Sequence, residues 1–348
     1  MALFQPAGAG DKAPAVWLAP MAGFTDAAMR LVCHRHGAAL AFTEMACSTA
    51  LVRQPAATLR LLEKLPGEGP LAAHLFGSDP DEMAAAAEIA ASLGRFVSID
   101  LNAGCPMRKV AAKGSGVTLM RDPRLVAEIV RRMKNAQPLP VTLKTRLGLV
   151  PGEPLVFDVL RAAQDAGASA ITVHARYAAN IHSGPPDLAE LARVVGCANI
   201  PVVGNGGIRC GRDALAMVRE TGVSAVMVGR AALGNPRIFS RVANALALPQ
   251  GEAWEDAEDE KKPAGHSRAY GDFLEHLEAC ENLQRQLEAA GNPRTQGVAA
   301  AFRCHLFRYF SGIPGAARLR AGLSQCREPG DIRRMVETAF TGHGLSSP

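Results

Sequence analysis

Aromatic side chains are scarce in this chain: Phe, Trp and Tyr make up 5% of 348 residues, with only two tryptophans and three tyrosines. That scarcity argues against a core built on large rings, and the abundant Ala and Gly suit helices laid closely on strands. No apolar run is long enough to span a bilayer and no signal-peptide hydrophobic region opens the chain, so a cytoplasmic protein with no membrane partner is expected. The eight cysteines, at positions 33, 47, 105, 197, 210, 280, 304 and 326, contain no C-x-x-C pair and no Cys/His spacing of a zinc site. In a reducing compartment neither a metal nor a disulfide is expected. Charge is nearly balanced. The excess of +5 permits an anionic partner without demanding one, and nothing demands more than a monomer.

Against these absences stands a regular alternation of strand-like and helix-like segments from residue 15 to about 245. Eight short apolar runs begin at Val16, Ala39, Leu71, Val97, Val141, Ala170, Pro201 and Ala225. Runs of this kind read as parallel strands buried on both faces. Between them, Asp79-Pro80-Asp81-Glu82 has a cap, a first-position proline and an acidic residue for a capping box. Asp122-Pro123 repeats the cap, and Thr25 stands where it would cap the helix ending at Gly37. Eight βα units match an α/β fold of the (β/α)8 TIM-barrel type, for which about 250 residues is typical. A doubly wound sheet would more usually carry a glycine fingerprint after its first strand, where this chain has Ala19-Pro20-Met21-Ala22-Gly23.

In such folds chemistry sits on the loops after the strands. Cys105, within Asn102-Ala103-Gly104-Cys105-Pro106, follows the fourth run and is a candidate acid or nucleophile. A buried structural thiol is the alternative. The other strand ends bring Pro20, Met21 and Ala22, then His74, Lys144, His174 with Arg176, Asn205-Gly206-Gly207, and Gly229-Arg230. The last two loops read as a phosphate site, with glycine backbone amides and an arginine fork. Lys144 interrupts an apolar run and so needs an anionic partner or a shifted pKa. A reduced flavin ring would supply the first, and Schiff-base chemistry is the rival reading.

Composition changes at Leu248. Residues 1–14 are expected as a tail, 15–247 as the barrel, 248–268 as a charged linker or insertion, and 269–348 as a small C-terminal helical domain. Phe273, Leu274, Leu277, Leu283 and Leu287 recur there at helical spacing. Late arginines, among them Arg303, Arg308, Arg318, Arg320, Arg333 and Arg334, form either a solvated face or an RNA-facing patch with Tyr309 and Phe310 stacking on bases.

In combination and order these blocks resemble the dihydrouridine synthase family of tRNA-modifying flavoenzymes. The blocks are Ala19-Pro20-Met21-Ala22-Gly23-Phe24-Thr25-Asp26, Thr43-Glu44-Met45, Leu75-Phe76-Gly77-Ser78, Asn102-x-Gly-Cys105-Pro, Lys144-x-Arg146, His174-x-Arg176, Gly204-Asn205-Gly206 and Val228-Gly229-Arg230. The resemblance implies an FMN-containing barrel, NADPH as reductant, tRNA as partner, and a helical domain that helps grip the RNA. It places FMN against Pro20, Met21, Ala22, His74, Lys144, His174, Asn205, Gly206, Gly207, Gly229 and Arg230. It makes Cys105 the general acid that protonates uracil C5 as hydride reaches C6, with Asn102 at the uracil and Arg176 holding substrate. A thiol suits that role because it ordinarily carries its proton at neutral pH. Two departures stand out: His74 where the family usually shows glutamine, and Leu188 where many members have an aromatic.

Overall fold

The computed structural model describes residues 13–53, 55–249, 254, 263–310 and 316–341. Nearly all of the expected tail, and residues 250–253 and 255–262 of the expected linker, lie outside the described residues. Nine strands are present: β1 (Ala15–Leu18), β2 (Leu40–Phe42), β3 (Ala46–Cys47), β4 (Leu71–Phe76), β5 (Ser98–Ala103), β6 (Val141–Arg146), β7 (Ala170–His174), β8 (Val202–Asn205) and β9 (Ala225–Val228). All pair in parallel. β1 pairs with β9 on one side and β2 on the other, and β2 pairs with β4, so the sheet closes on itself. This is the expected (β/α)8 barrel, with a helical C-terminal region behind it.

The second barrel strand is longer than its apolar run suggests and is broken in two. Phe42 pairs with Ala72 and Ala46 with Leu75, so three residues on one strand face two on the other. That bulge ends regular pairing and re-aims side chains. It brings the Glu44 carboxylate onto the Gly23 N–H and leaves Met45 lining the mouth of the barrel.

Strand alternation sorts the interior. Trp17, Leu40, Phe42, Ala72, Val203 and Met227 fill the barrel floor, while Val16, Leu18, Ala73, Leu75 and Val226 face the surrounding helices. Helix starts follow the expected chemistry with one shift. Asp79 accepts from the amides of Asp81 and Glu82, and Asp122 from that of Leu125. Glu82 bonds to Thr49 instead of closing a capping box. The helix Ala27–Arg35 is capped by Asp26 and not by Thr25, whose hydroxyl instead bonds the backbone of Met21.

The C-terminal region comprises helices Pro263–Ala289, Val298–Tyr309, Ala316–Leu323 and Pro329–Thr341. The first of these begins inside the segment expected as linker. Trp254 from that segment packs against the barrel core. Phe273, Leu277, Leu283 and Leu287 share a cluster with Phe302, Leu306 and, from the barrel, Ala27, Ala28, Leu31 and Val32. Tyr309 and Phe310 are buried in it beside Phe273, so they are core rings and not stacking groups for RNA.

A polar seam crosses this apolar interface. Asp26 accepts the Met29 N–H and pairs with Arg294 at 2.7 Å, and His276 and His305 lie beside it with ring centroids 4.5 Å apart. Burial would raise the Asp26 pKa, but the Arg294 charge and the Met29 amide hold it at about 2. Because a fixed guanidinium already occupies the carboxylate, the cluster is a structural joint and not an open cation site. Burial keeps both imidazoles neutral, below their ordinary 6.5. An unfolded chain protonates these rings near 6.5 and the folded one does not, so their stabilisation is present above that pH and fades below it. Lowering the pH from 7 to 5 should therefore loosen the helical region first, seen as earlier hydrogen exchange in Pro263–Ala289 than in the barrel strands. Equal protection of both regions at both pH values would remove the seam's role.

Candidate active site

A cavity of about 1030 Å³ opens at the C-terminal ends of the strands. Every candidate cofactor, catalytic and uracil-site residue at the strand ends lines it: Pro20, Met21, Ala22, His74, Asn102, Cys105, Lys144, His174, Arg176, Asn205, Gly206, Gly207, Gly229 and Arg230. The reason is register. Asn102 lies beside Lys144, Arg146 beside His174, and His174 beside Asn205 on neighbouring strands. Residues of one parity on adjacent strands share a face, so these polar groups converge inside the barrel's upper rim.

Cys105 sits two residues beyond β5, half-buried at the mouth. Asn102 fixes its loop by accepting both the Gly104 and Cys105 amides, at 3.1 and 3.0 Å. Arg146 braces the same loop from outside, donating to the Gly104 carbonyl at 3.0 Å. Deeper down, His74 shares Asp100 with Thr142: His74 Nδ1 lies 2.6 Å from one carboxylate oxygen, and the Thr142 hydroxyl donates to the other. Nδ1 is thereby engaged, leaving Nε2 as the group His74 can offer to a ligand.

The cavity is electropositive. Lys144, Arg146, Arg176, Arg209, Arg230 and Arg308 line it, against one carboxylate among the described lining residues, Asp213, which is bound by Arg209. Lys144 donates to Asn205 Oδ1 at 3.1 Å and has no ion-pair partner among the described residues. Burial, with Arg146 nearby, lowers its pKa to about 8. Burial lowers Arg146 to about 10, with Arg176 adding to the effect. His174 is pushed far below its usual range by burial and by the charges of Lys144, Arg146 and Arg176. Arg176 Nη1 donates to His174 Nε2 at 3.1 Å, so the neutral ring carries its proton on Nδ1. Six cations against one carboxylate suit the cavity to an anionic ligand.

Gly206 has φ +114°, and a Cβ there would lie 2.7 Å from His174 Cδ2 and 3.1 Å from Arg176 Nη1. Its missing side chain is what lets the backbone approach the cavity beside both groups. A Gly206→Ala substitution should cost about 1–3 kcal/mol of strain and displace the histidine and arginine. The expected result is a roughly tenfold or greater loss of affinity for an anionic ligand, read by titration, because two groups that would meet it are displaced. Wild-type affinity would mean the approach is not needed.

Arg146 ends the same strand as Lys144 and shares its parity on β6, so its place at the rim was legible in the sequence, though without a role. Sequence reasoning missed other lining residues. His182, stacked on His174 with centroids 5.9 Å apart, and Ile181 lie on an irregular loop with no periodic signal. Arg308 reaches the cavity from the helical region, a proximity no local pattern encodes.

With this geometry in hand, known proteins are informative. A tRNA-dihydrouridine synthase B of Xanthomonas axonopodis pv. citri is 37% identical over 317 residues, covering 91% of this chain and 90% of that protein. A probable tRNA-dihydrouridine synthase of Rhodobacter capsulatus is 34% identical over 330 residues, covering 94% and 95%. Among solved structures, a histamine dehydrogenase from Rhizobium sp. 4-9 superposes with a TM-score of 0.54 at 14% identity. It covers 79% of this chain, which spans 51% of that one, and the likeness is one of fold. The family model described as dihydrouridine synthase matches residues 17–342, and the chain belongs to the dihydrouridine synthase family.

Proposed function

We propose that this protein is a cytoplasmic tRNA-dihydrouridine synthase that reduces the C5–C6 double bond of one tRNA uridine, using FMN and NADPH. The observation that carries the reading is the pairing of a mouth-facing thiol, Cys105, with a cavity lined by six cations and one carboxylate. The residues present fit FMN. Lys144 is a half-buried cation with only an amide partner, and Gly206 provides a backbone cradle that a Cβ would fill. Arg230 is exposed at the rim with no partner among the described residues. Lys144, His74, His174 and Asn205 would hold the ring system, and Gly206, Gly207, Gly229 and Arg230 the phosphate.

FMN held by these residues would supply the hydride chemistry for uracil C6, with NADPH as its reductant. The protein's own residues do the rest. Asn102 and Arg146 hold the Cys105 loop from two sides, so the thiol is presented at a fixed place. Cys105 gives its proton to C5, which neutralises the charge that would build on the ring. Lys144 and Arg146 line the same cavity as Cys105 and would offset the negative charge left on the sulfur. Arg176, whose guanidinium donates twice to the Gly184 carbonyl, shapes the opposite rim.

Arg308 joins the helical region to the cavity lining, which a small metabolite would not require. Arg318 lies exposed on the same region, with Arg320 half-buried nearby. Their phosphate contacts would make binding weaken with salt. The test is optical. Purified protein should show flavin absorption that NADPH bleaches and that unmodified tRNA restores under anaerobic conditions. Restoration by a free pyrimidine such as orotate, and not by tRNA, would overturn the substrate; absence of flavin binding would overturn the cofactor.

A further inference from the structure

One residue at the mouth has a backbone conformation that side-chain-bearing residues rarely adopt. Ile181 has φ +49° and ψ −84°, and among the described residues it is the only non-glycine with positive φ. For a β-branched residue this is a true outlier, near the strained γ-turn region, and such strain persists only where the surroundings over-determine it. They do so here. The Ile181 amide donates to the Ala178 carbonyl at 3.0 Å, and its carbonyl accepts Arg146 Nη1 at 2.9 Å. The same guanidinium donates to Gly104, the residue before Cys105. Arg146 thus ties the loop presenting Ile181 to the loop presenting the thiol.

What the strain achieves is exposure. Ile181 is 55% exposed and Met107, two residues beyond Cys105, is 62% exposed, yet both line the cavity. An apolar side chain held open in a strained backbone gains nothing in the free protein. Arg176, Arg230 and His182, groups suited to an RNA backbone, line the same cavity. The surface that fits an apolar tip in a cationic rim is the face of a nucleobase.

We infer that Ile181 is a positioning residue that occupies the stack vacated when the target uridine turns into the cavity, holding the RNA open beside Cys105. Extruding a base costs a few kcal/mol, and a side chain that replaces the lost stacking offsets part of it. The inference rests on the proposed tRNA substrate and adds a device for presenting it.

Two substitutions separate this role from a structural one. Asparagine tolerates positive φ better than isoleucine but has no apolar tip, whereas leucine keeps the tip. The probe is tRNA lacking dihydrouridine, with 2-aminopurine as the 3′ neighbour of the uridine located by mapping; unstacking raises its fluorescence. Wild type and Ile181→Leu should give the rise. Ile181→Asn should keep its flavin content and melting temperature but lose the rise. It should also slow re-oxidation of reduced flavin by tRNA about tenfold or more, the scale of a lost stacking interaction. A full rise and wild-type rate in Ile181→Asn would overturn the inference, as would a wild-type complex with no rise. If Asn retains function and Leu loses it, the residue serves the backbone only. Wild-type flavin that tRNA never re-oxidises would refute the substrate reading itself, a distinct result.

Discussion

A Cys105→Ala variant keeps its flavin and its fold, and forms dihydrouridine about 10²–10⁴-fold more slowly, the range lost when a positioned general acid is removed. The substitution deletes one sulfur and little else. The Cys105 backbone is held by bonds that alanine retains: its amide to Asn102 at 3.0 Å, and its carbonyl to the Val117 amide at 3.0 Å. Because the thiol is half-buried at the mouth and not part of the core, its loss leaves no large apolar void. The effect should therefore fall on turnover and not on affinity for tRNA. Single-turnover formation of dihydrouridine, measured by mass spectrometry at saturating tRNA, checks this. An undiminished rate would take Cys105 out of the chemistry and return it to the structural role that was its alternative reading.

How far the sequence reveals this site depends on which physical signal each residue leaves. Buried parallel strands leave apolar runs, so all eight barrel positions were visible, together with the polar residues ending them. Ala46–Cys47 was not, because the bulge at residues 43–45 breaks the period that identifies a strand. Asp26 took the cap expected of Thr25, its neighbour of similar capping propensity, since Thr25 is used by the Met21 backbone. Tyr309 and Phe310 were open to misreading for a plainer reason. An aromatic residue near arginines has the same spacing whether it stacks on a base or, as here, closes a core around Phe273. Ile181, His182 and Arg308 come to the cavity through loop shape and tertiary approach, which leave no periodic trace.

Lys144→Met should make the flavin-free protein more stable and the flavin-binding protein worse. Burial beside Arg146 lowers the Lys144 pKa to about 8 from an ordinary 10.5, so its charge opposes folding at neutral pH. The sign follows from linkage. The unfolded chain holds this proton more tightly, so the penalty is fully present below pH 8 and disappears between 8 and 10.5. Partial exposure at the cavity wall and solvent screening reduce the penalty to roughly 1–3 kcal/mol. Methionine fills a similar volume without charge, although Asn205 Oδ1 loses the donor it has at 3.1 Å, which trims the gain. A rise of several degrees in the apoprotein melting temperature is expected, at about 2–4 °C per kcal/mol. FMN affinity should fall by about tenfold or more, because the cation that answers the ligand's negative charge is gone. Opposite signs for the two effects are the signature of a group retained for binding at the expense of stability. If Lys144→Met lowers the apoprotein melting temperature and leaves FMN affinity intact, the lysine is a structural donor to Asn205, and the anionic ligand is held elsewhere.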